Sequence, residues 1–366
     1  MENVIETQGL IESILKSIPK VEIVRISVDE RPPVVPDLLF LVTKSDKTIM
    51  IGVECKPLSL GEPRYVRSAI QQLKEPKNIQ LVVQQLKKFI KLAGQDISVY
   101  GVVAAPCISE ESSSICRENG MGYIDLAGNC FLNFDGIYIE RKGFQNGETK
   151  KRPLKSIFSP RAGRILRVML SDPKKSWKMQ ELSNEAKVSL GLAFKVKEKL
   201  LDMEYGKEEK SGVSVARPEE LLEKWSEYYS FRKNKAYDYF TLEDIRDVEL
   251  KISKYCKEKQ ISYALALFSG LALVAPFARY TRGFVYVKDR ERIQEIADAV
   301  GLKKVDSGPN FTILEPYDEG VFYGAREIND ITVSSDIQLY LDLIGYKGRG
   351  EESAKFLFEQ RIKNKW

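Results

Sequence analysis

The stretch Val34–Leu58, "VVPDLLFLVTKSDKTIMIGVECKPL", decides how the front of the chain folds. Two β-rich runs flank a polar turn, with Pro36-Asp37 at one end and Glu54-Cys55-Lys56 at the other. A turn centred between Ser45 and Asp46 sets Asp37 directly across from Glu54, and opposed side chains share one face with Cβ atoms about 5 Å apart. Lys56, two residues beyond Glu54, projects from that same face. Ile49, Ile51, Val53 and Cys55 form the other face, a core surface. Pro36 lacks an N–H and suits the start of a strand.

Two carboxylates at that spacing repel, and something must offset the repulsion. Water and Lys56 can do so on a surface strand. A divalent ion does it better: Asp37, Glu54 and the backbone carbonyl of Cys55 offer Mg²⁺ (or Mn²⁺) a hard oxygen site with room for waters. One water then serves as nucleophile, oriented or deprotonated by Lys56. The order Pro-Asp, a gap, then Glu-Cys-Lys resembles the motif of the PD-(D/E)xK nuclease superfamily. That likeness implies metal binding by Asp37 and Glu54, water positioning by Lys56, and Mg²⁺-dependent hydrolysis of DNA phosphodiesters. "RSAIQQL" (67–73) stands where many members carry a supporting Gln, so Gln71 or Gln72 joins the site by the same likeness. Some members add a Glu from the first helix, here Glu6 or Glu12.

Around this hairpin, "IETQGLIESILKSI" (5–18) carries an apolar helical stripe and "VEIVRIS" alternates as a strand. Helical stretches follow from Arg64 to Leu73 and from Ile79 to Leu92, and "ISVYGVVAAP" (97–106) reads as a buried central strand. An αβββαβ-like order implies a mixed sheet flanked by helices. "GYIDLAG" and "GIYIERKG" add strands, with Asp125 and Asn129 in a Gly-punctuated turn. Polar "QNGETKKRPLKSIFSP" (145–160) is a linker.

Net charge is only +5, yet Lys151–Arg217 holds sixteen Lys/Arg against eight Asp/Glu. A basic middle between near-neutral ends fits a nucleic-acid backbone, or else a well-solvated helical surface. "RAGRILRVMLSD", "WKMQELSNEAK" and "VSLGLAFKVKEKLLDMEYG" read as three helices, the last capped by Ser189, with a polar hairpin after them. Leu192, Val196 and Leu200 face the core. Lys187, Ser189, Phe194, Lys195 and Lys199 face outward to a groove, while Arg161, Arg164, Lys207 and Lys210 are placed to reach phosphates. The pattern is that of a winged helix-turn-helix.

The last third mixes helices with strands such as "GFVYVKD" and "FTILEP". "LALFSGLALVAPFARYTRGFVYVKD" (265–289) resembles the Gly-Ser helix and strand of nucleotidyltransferases. Asp289 finds no acidic partner at the expected spacing, which implies a degenerate, non-catalytic fold. Arg279, Tyr280 and Arg282 are candidate phosphate contacts. Trp225, Tyr228 and Tyr229 read as core packing. Taken together, residues 120–143, 159–206, "RPEELLEKWSEYY" and "SSDIQLYLDLIGYKGRGEESAKFL" resemble AbiEi-type antitoxins of type IV toxin-antitoxin systems. That likeness implies a winged-helix repressor that opposes a nucleotidyltransferase-like toxin.

The expected fold is therefore α/β over 1–148 (a mixed sheet flanked by helices, restriction-endonuclease-like), a winged helix over 149–217, and an α+β nucleotidyltransferase-like domain over 218–366. The chain has no histidine, which excludes Ser-His-Asp and Cys-His catalysis and His-type zinc sites. Five cysteines without CxxC spacing suit a reducing cytoplasm, and no apolar run suits a membrane span or a secretory signal. Two readings stand: a Mg²⁺-dependent DNA nuclease, possible as a homodimer that cuts both strands, and a DNA-binding regulator of antitoxin type that leaves DNA whole.

Overall fold

The computed structural model describes residues 2–19, 21–26, 36–44, 47–56, 61–75, 97–144, 157–277 and 279–366. The expected helix over 79–92, the Ser45–Asp46 turn and most of the 145–160 linker lie outside them. Two compact units emerge: residues 1–152 with 202–204, and residues 153–201 with 205–366. The boundary expected near 217 thus falls inside the second unit. Both units are mixed α/β, and no helix among the described residues is long and apolar enough to cross a membrane.

The first unit runs α1 (Glu2–Lys16), β1 (Glu22–Ile26), β2 (Leu38–Lys44), β3 (Lys47–Cys55), α2 (Pro63–Lys74) and β4 (Ser98–Ala105). It continues through α3 (Glu110–Glu118), β5 (Gly122–Asp125), β6 (Cys130–Phe134) and β7 (Ile137–Arg141). The seven strands lie side by side in chain order. Only β3–β4 and β4–β5 are parallel, the two steps whose connections carry helices α2 and α3. The β2–β3 register runs from Leu38 opposite Val53 to Lys44 opposite Lys47. Continued by one residue, it sets Asp37 opposite Glu54.

Apolar side chains cover both faces of this sheet. On one, Ile11, Ile14 and Leu15 of α1 pack with Phe40, Val42, Ile49, Ile51 and Val53. On the other, Val66, Ala69, Ile70 and Leu73 of α2 meet Val103, Ile115, Cys116 and Tyr123. The central strands are buried on both sides, as expected where helices cover a parallel core.

The second unit begins with α4 (Pro160–Ser171), α5 (Met179–Glu185), α6 (Leu190–Asp202) and the hairpin β8 (Gly206–Glu209) and β9 (Gly212–Val215). Trp177 bridges to Val213 and ties the hairpin to the helices. Helices α7 (Pro218–Tyr228), α8 (Ile245–Glu258), α9 (Leu267–Val274), α10 (Ile293–Ala299), α11 (Asp336–Ile344) and α12 (Gly350–Leu357) flank a seven-stranded mixed sheet. Its strands are β10 (Lys235–Phe240), β11 (Tyr263–Leu265), β12 (Gly283–Val287), β13 (Lys303–Lys304), β14 (Phe311–Glu315), β15 (Arg326–Ile328) and β16 (Ile331–Val333). Most of these are too short for an alternation pattern, and β12 and β14 are the strands of this sheet that the sequence makes legible. Residues 263–274 of the apolar run divide into β11 and α9.

This unit is knit by a buried polar network. Arg167 of α4 lies with its guanidinium carbon 5.0 Å from the Trp225 ring centroid and donates to Gln338 Oε1 at 2.9 and 2.6 Å. Gln338 Nε2 donates to Tyr229 Oη and to Asp342 Oδ1, both at 2.8 Å. The hydroxyls of Tyr229 and Tyr286 donate to the same Asp342 oxygen at 2.7 and 2.9 Å. Burial pushes the Asp342 carboxyl up to about 7, against the pull of those donors and of Arg167. Because the folded pKa is raised, Asp342 binds a proton in the folded state that the unfolded chain releases. Its contribution is greatest below the unfolded value and is lost as pH climbs to about 7. Asp342→Asn removes that loss, so the melting temperature of the variant minus that of the parent rises between pH 4 and 7, by an amount equivalent to about 4 kcal/mol at most. A flat difference over that range in paired thermal melts defeats the assignment.

Candidate functional site

The Asp37–Lys56 group forms where the ends of β2 and β3 meet the covering helix. Val53 and Cys55 turn toward the α1 side, so Glu54 and Lys56 emerge on the α2 side. The Lys56 backbone N–H donates to Ala104 O at 2.8 Å, holding Lys56 in line with β4 beyond the last residue of β3. Asp37 Oδ2 accepts from the Cys55 N–H at 2.8 Å, which closes the hairpin end. Lys56 Nζ donates to Glu54 Oε1 and to Gln72 Oε1, each at 2.8 Å. Gln72 arrives from the outer side of α2, whose Pro63, Val66, Ala69, Ile70 and Leu73 are buried. Its neighbour Gln71 lines a different groove of about 440 Å³ with Arg67, Lys74 and Asn119.

Asp37, Glu54, Lys56 and Gln72 are thus brought together, with the Lys56 and Glu54 side chains 13% and 14% exposed. Burial raises the Glu54 pKa; the bond and charge of Lys56 pull it back, and the charge of Asp37 adds to the rise. A carboxylate held this way favours cationic company. The oxygens fit a hard divalent ion in kind, with Asp37, Glu54 and the Cys55 carbonyl as the residues that would hold it. Bound there, such an ion would supply charge neutralisation and activation of water. Among the described residues no three Asp, Glu or Cys side chains gather to share an ion, so water and substrate oxygens must complete any such shell. Glu12 bonds to Gln8 at 2.9 Å and lies 3.7 Å from Lys16 on its own helix, and the Glu6 side chain lies outside the described residues. Asp125 holds the Asn129 backbone and side-chain N–H groups, both at 2.9 Å, so it shapes the turn.

The helical segment of the second unit forms a separate basic surface. Between α5 and α6, Lys187 takes a left-handed conformation (φ 51°) and Ser189 Oγ accepts the Leu192 N–H at 3.3 Å, a cap that starts α6. Ala193, Val196 and Leu200 face inward, whereas Leu192 is only half-buried. Lys187, Ser189, Lys195 and Phe194 are exposed, and Leu190 stands exposed one turn before Phe194. Phe194 is exposed as expected, and the i, i+4 spacing that makes Leu190 its neighbour is legible in the sequence. Arg161, Lys187, Lys195 and Lys210 make no ion pair with any described residue. Lys199 is half-buried.

Two of the expected phosphate contacts are engaged elsewhere. Arg164 is gripped by Asp318, with Nε at 2.9 and 3.0 Å from its two oxygens and Nη2 at 2.9 Å, so it serves as a tertiary clamp. Lys207 pairs with Glu209 at 2.7 Å. In the last third, Arg282 bonds Asp238 and Thr312, and Tyr280 donates to Glu249. Trp225 and Tyr229 are buried as expected, while Tyr228 is 51% exposed and stacks on Phe158.

Residues 214–363 match a family model described as "Transcriptional regulator, AbiEi antitoxin, Type IV TA system". The match supports an AbiEi-type relationship and covers the whole of the "RPEELLEKWSEYY" (217–229) and "SSDIQLYLDLIGYKGRGEESAKFL" (334–357) segments, but neither the Asp37–Lys56 group nor α4–α6. Comparisons with curated proteins and with solved structures give no significant match.

Lys56→Met removes the ammonium that restrains Glu54, so the Glu54 pKa climbs further and the first unit loses about 1–3 kcal/mol of stability at neutral pH. The loss grows as pH rises past the unfolded Glu value, because the charged carboxylate is then left uncompensated. A carbon-13 titration of the Glu54 carboxyl that is identical in parent and variant contradicts this reading.

Proposed function

We propose that the protein is a DNA-binding transcriptional regulator of the AbiEi antitoxin type. The observation that carries this reading is the match of residues 214–363 to that family. Its support in the same unit is a capped helix, α6, that presents Lys195, Phe194 and Ser189 to solvent beside the exposed Lys187 turn. In this reading α4–α6 and the β8–β9 hairpin act as a winged helix, α6 enters the major groove, and Arg161 and Lys210 contact phosphate. Residues 218–366 act as a non-catalytic, nucleotidyltransferase-like scaffold, and the functional counterpart is a nucleotidyltransferase-like toxin.

A second reading, metal-dependent hydrolysis of DNA by the first unit, is favoured by one observation: Asp37, Glu54, Lys56 and Gln72 share a site. Mg²⁺ or Mn²⁺ would be held by Asp37, Glu54 and the Cys55 carbonyl, with Lys56 positioning water. In this reading the mixed α/β first unit serves as a restriction-endonuclease-like domain.

Mobility shifts on the promoter of the protein's own gene separate the readings. Affinity falls steeply with salt, and Lys195→Gln or Lys187→Gln each weakens binding and lowers the log–log salt slope by about 0.9. Unchanged slopes in both variants remove α6 and its turn from the interface. Supercoiled plasmid with Mg²⁺ or Mn²⁺ stays intact under the regulator reading. Nicking that disappears in Asp37→Asn and Lys56→Ala establishes the hydrolase instead.

A further inference from the structure

One cavity in the second unit holds more positive charge than its own carboxylate can balance. It has a volume of about 170 Å³ and lies among the end of α4, strand β15, the start of α11 and the segment 361–366. Arg326, Arg361 and Lys365 line it, and Asp336 is the acidic residue among its described lining residues. Asp336 is buried and already engages Arg326 Nη2 through Oδ1 and Lys365 Nζ through Oδ2 at 2.7 Å. These cations hold its pKa below the usual carboxylate value despite burial.

Arg361 is the group left over. Its Nε stands 3.9 Å from Asp336 Oδ2, beyond hydrogen-bonding reach, and that buried N–H has no hydrogen-bond partner among the described residues. A buried, charged donor without an acceptor is costly, and an anion in the cavity relieves it. The Arg326, Arg361 and Lys365 side chains are 31, 39 and 54% exposed, so a diffusing ligand can reach them. Ser335 Oγ accepts the Gln338 N–H at 3.2 Å, which leaves its hydroxyl proton to donate into the same space. Gly324, at φ +70°, walls the cavity; a Cβ there would sit 3.2 Å from Ser335 Cβ.

We propose that this cavity is a binding site for a phosphate dianion, either inorganic phosphate or the phosphate group of a small monoester, held by Arg361, Lys365 and Arg326. Three cationic side chains line the cavity against one acidic side chain, an excess that suits a phosphate anion. The guanidinium fork matches phosphate oxygens in geometry as well as charge. The volume takes one phosphate group with a few waters at about 30 Å³ each, so any ester body must extend into solvent.

The full-length protein, free of phosphate and sulfate, is titrated with inorganic phosphate and with glycerol 3-phosphate. Thermal shift and calorimetry are read at constant ionic strength held with chloride. Saturable stabilisation is expected, weakened about tenfold or more in Arg361→Gln and in Lys365→Gln, and retained in the surface control Lys254→Gln. Equal affinities for the two probes assign the ligand as phosphate itself; tighter binding of glycerol 3-phosphate assigns it as a monoester. Asp336→Asn is expected to tighten binding, since it removes the competing carboxylate. Circular dichroism confirms that the Arg361 and Lys365 variants fold, as both leave the Arg326–Asp336 pair intact. A response that chloride reproduces, or one that survives intact in folded Arg361→Gln and Lys365→Gln, overturns the site.

Discussion

The pairing of β2 with β3 is the constraint on which the first unit depends. Side chains in a strand alternate, so a slip of one residue sends Val53 and Ile51 outward and drives Glu54 and Lys56 into the α1 core. Ile11, Ile14 and Leu15 behind the sheet make that slip unfavourable, because each fills space left by the apolar face of β3. The ends of the hairpin are pinned as well. Asp37 accepts the Cys55 N–H, and the Lys56 N–H reaches Ala104 on the neighbouring strand. Two acids and an ammonium group therefore meet because apolar packing elsewhere leaves no other register.

The second unit solves a different problem. Its strands are short and its helices many, and directional polar bonds supply much of the specificity that long ladders supply in the first. Arg167, Gln338, Tyr229, Tyr286 and Asp342 form one buried network in which each side chain orients the next. Arg164 and Asp318 add a bidentate pair about one turn earlier on the same helix. The same helix thus spends two of its arginines on internal structure, although its sequence reads as part of a basic surface.

That division of labour bears on the functional reading. A charge count over Lys151–Arg217 treats all sixteen cations alike. Folding separates them: Arg164 and Arg167 turn inward, Lys197 and Lys207 pair with glutamates, and Lys187 and Lys195 remain exposed beside α6. The exposed group is smaller than the count, and two of its members, Lys187 and Lys195, lie on α6 and the turn that precedes it.

From the sequence alone, the mixed α/β character, the hairpin register, the α6 cap at Ser189 and the core role of Trp225 and Tyr229 were determined, because each follows from local periodicity, a turn or a capping residue. The choice of Gln72 over Gln71, the burial of Arg167, the grip of Asp318 on Arg164 and the assembly of Arg326, Arg361 and Lys365 around Asp336 were decided only by tertiary structure. Gln71 and Gln72 differ by about 100° around one helix, and only the packed face of α2 says which points to Lys56. The other partners are separated by tens to more than a hundred residues in sequence. No local pattern encodes such a pair, since its geometry exists only once two distant elements have packed.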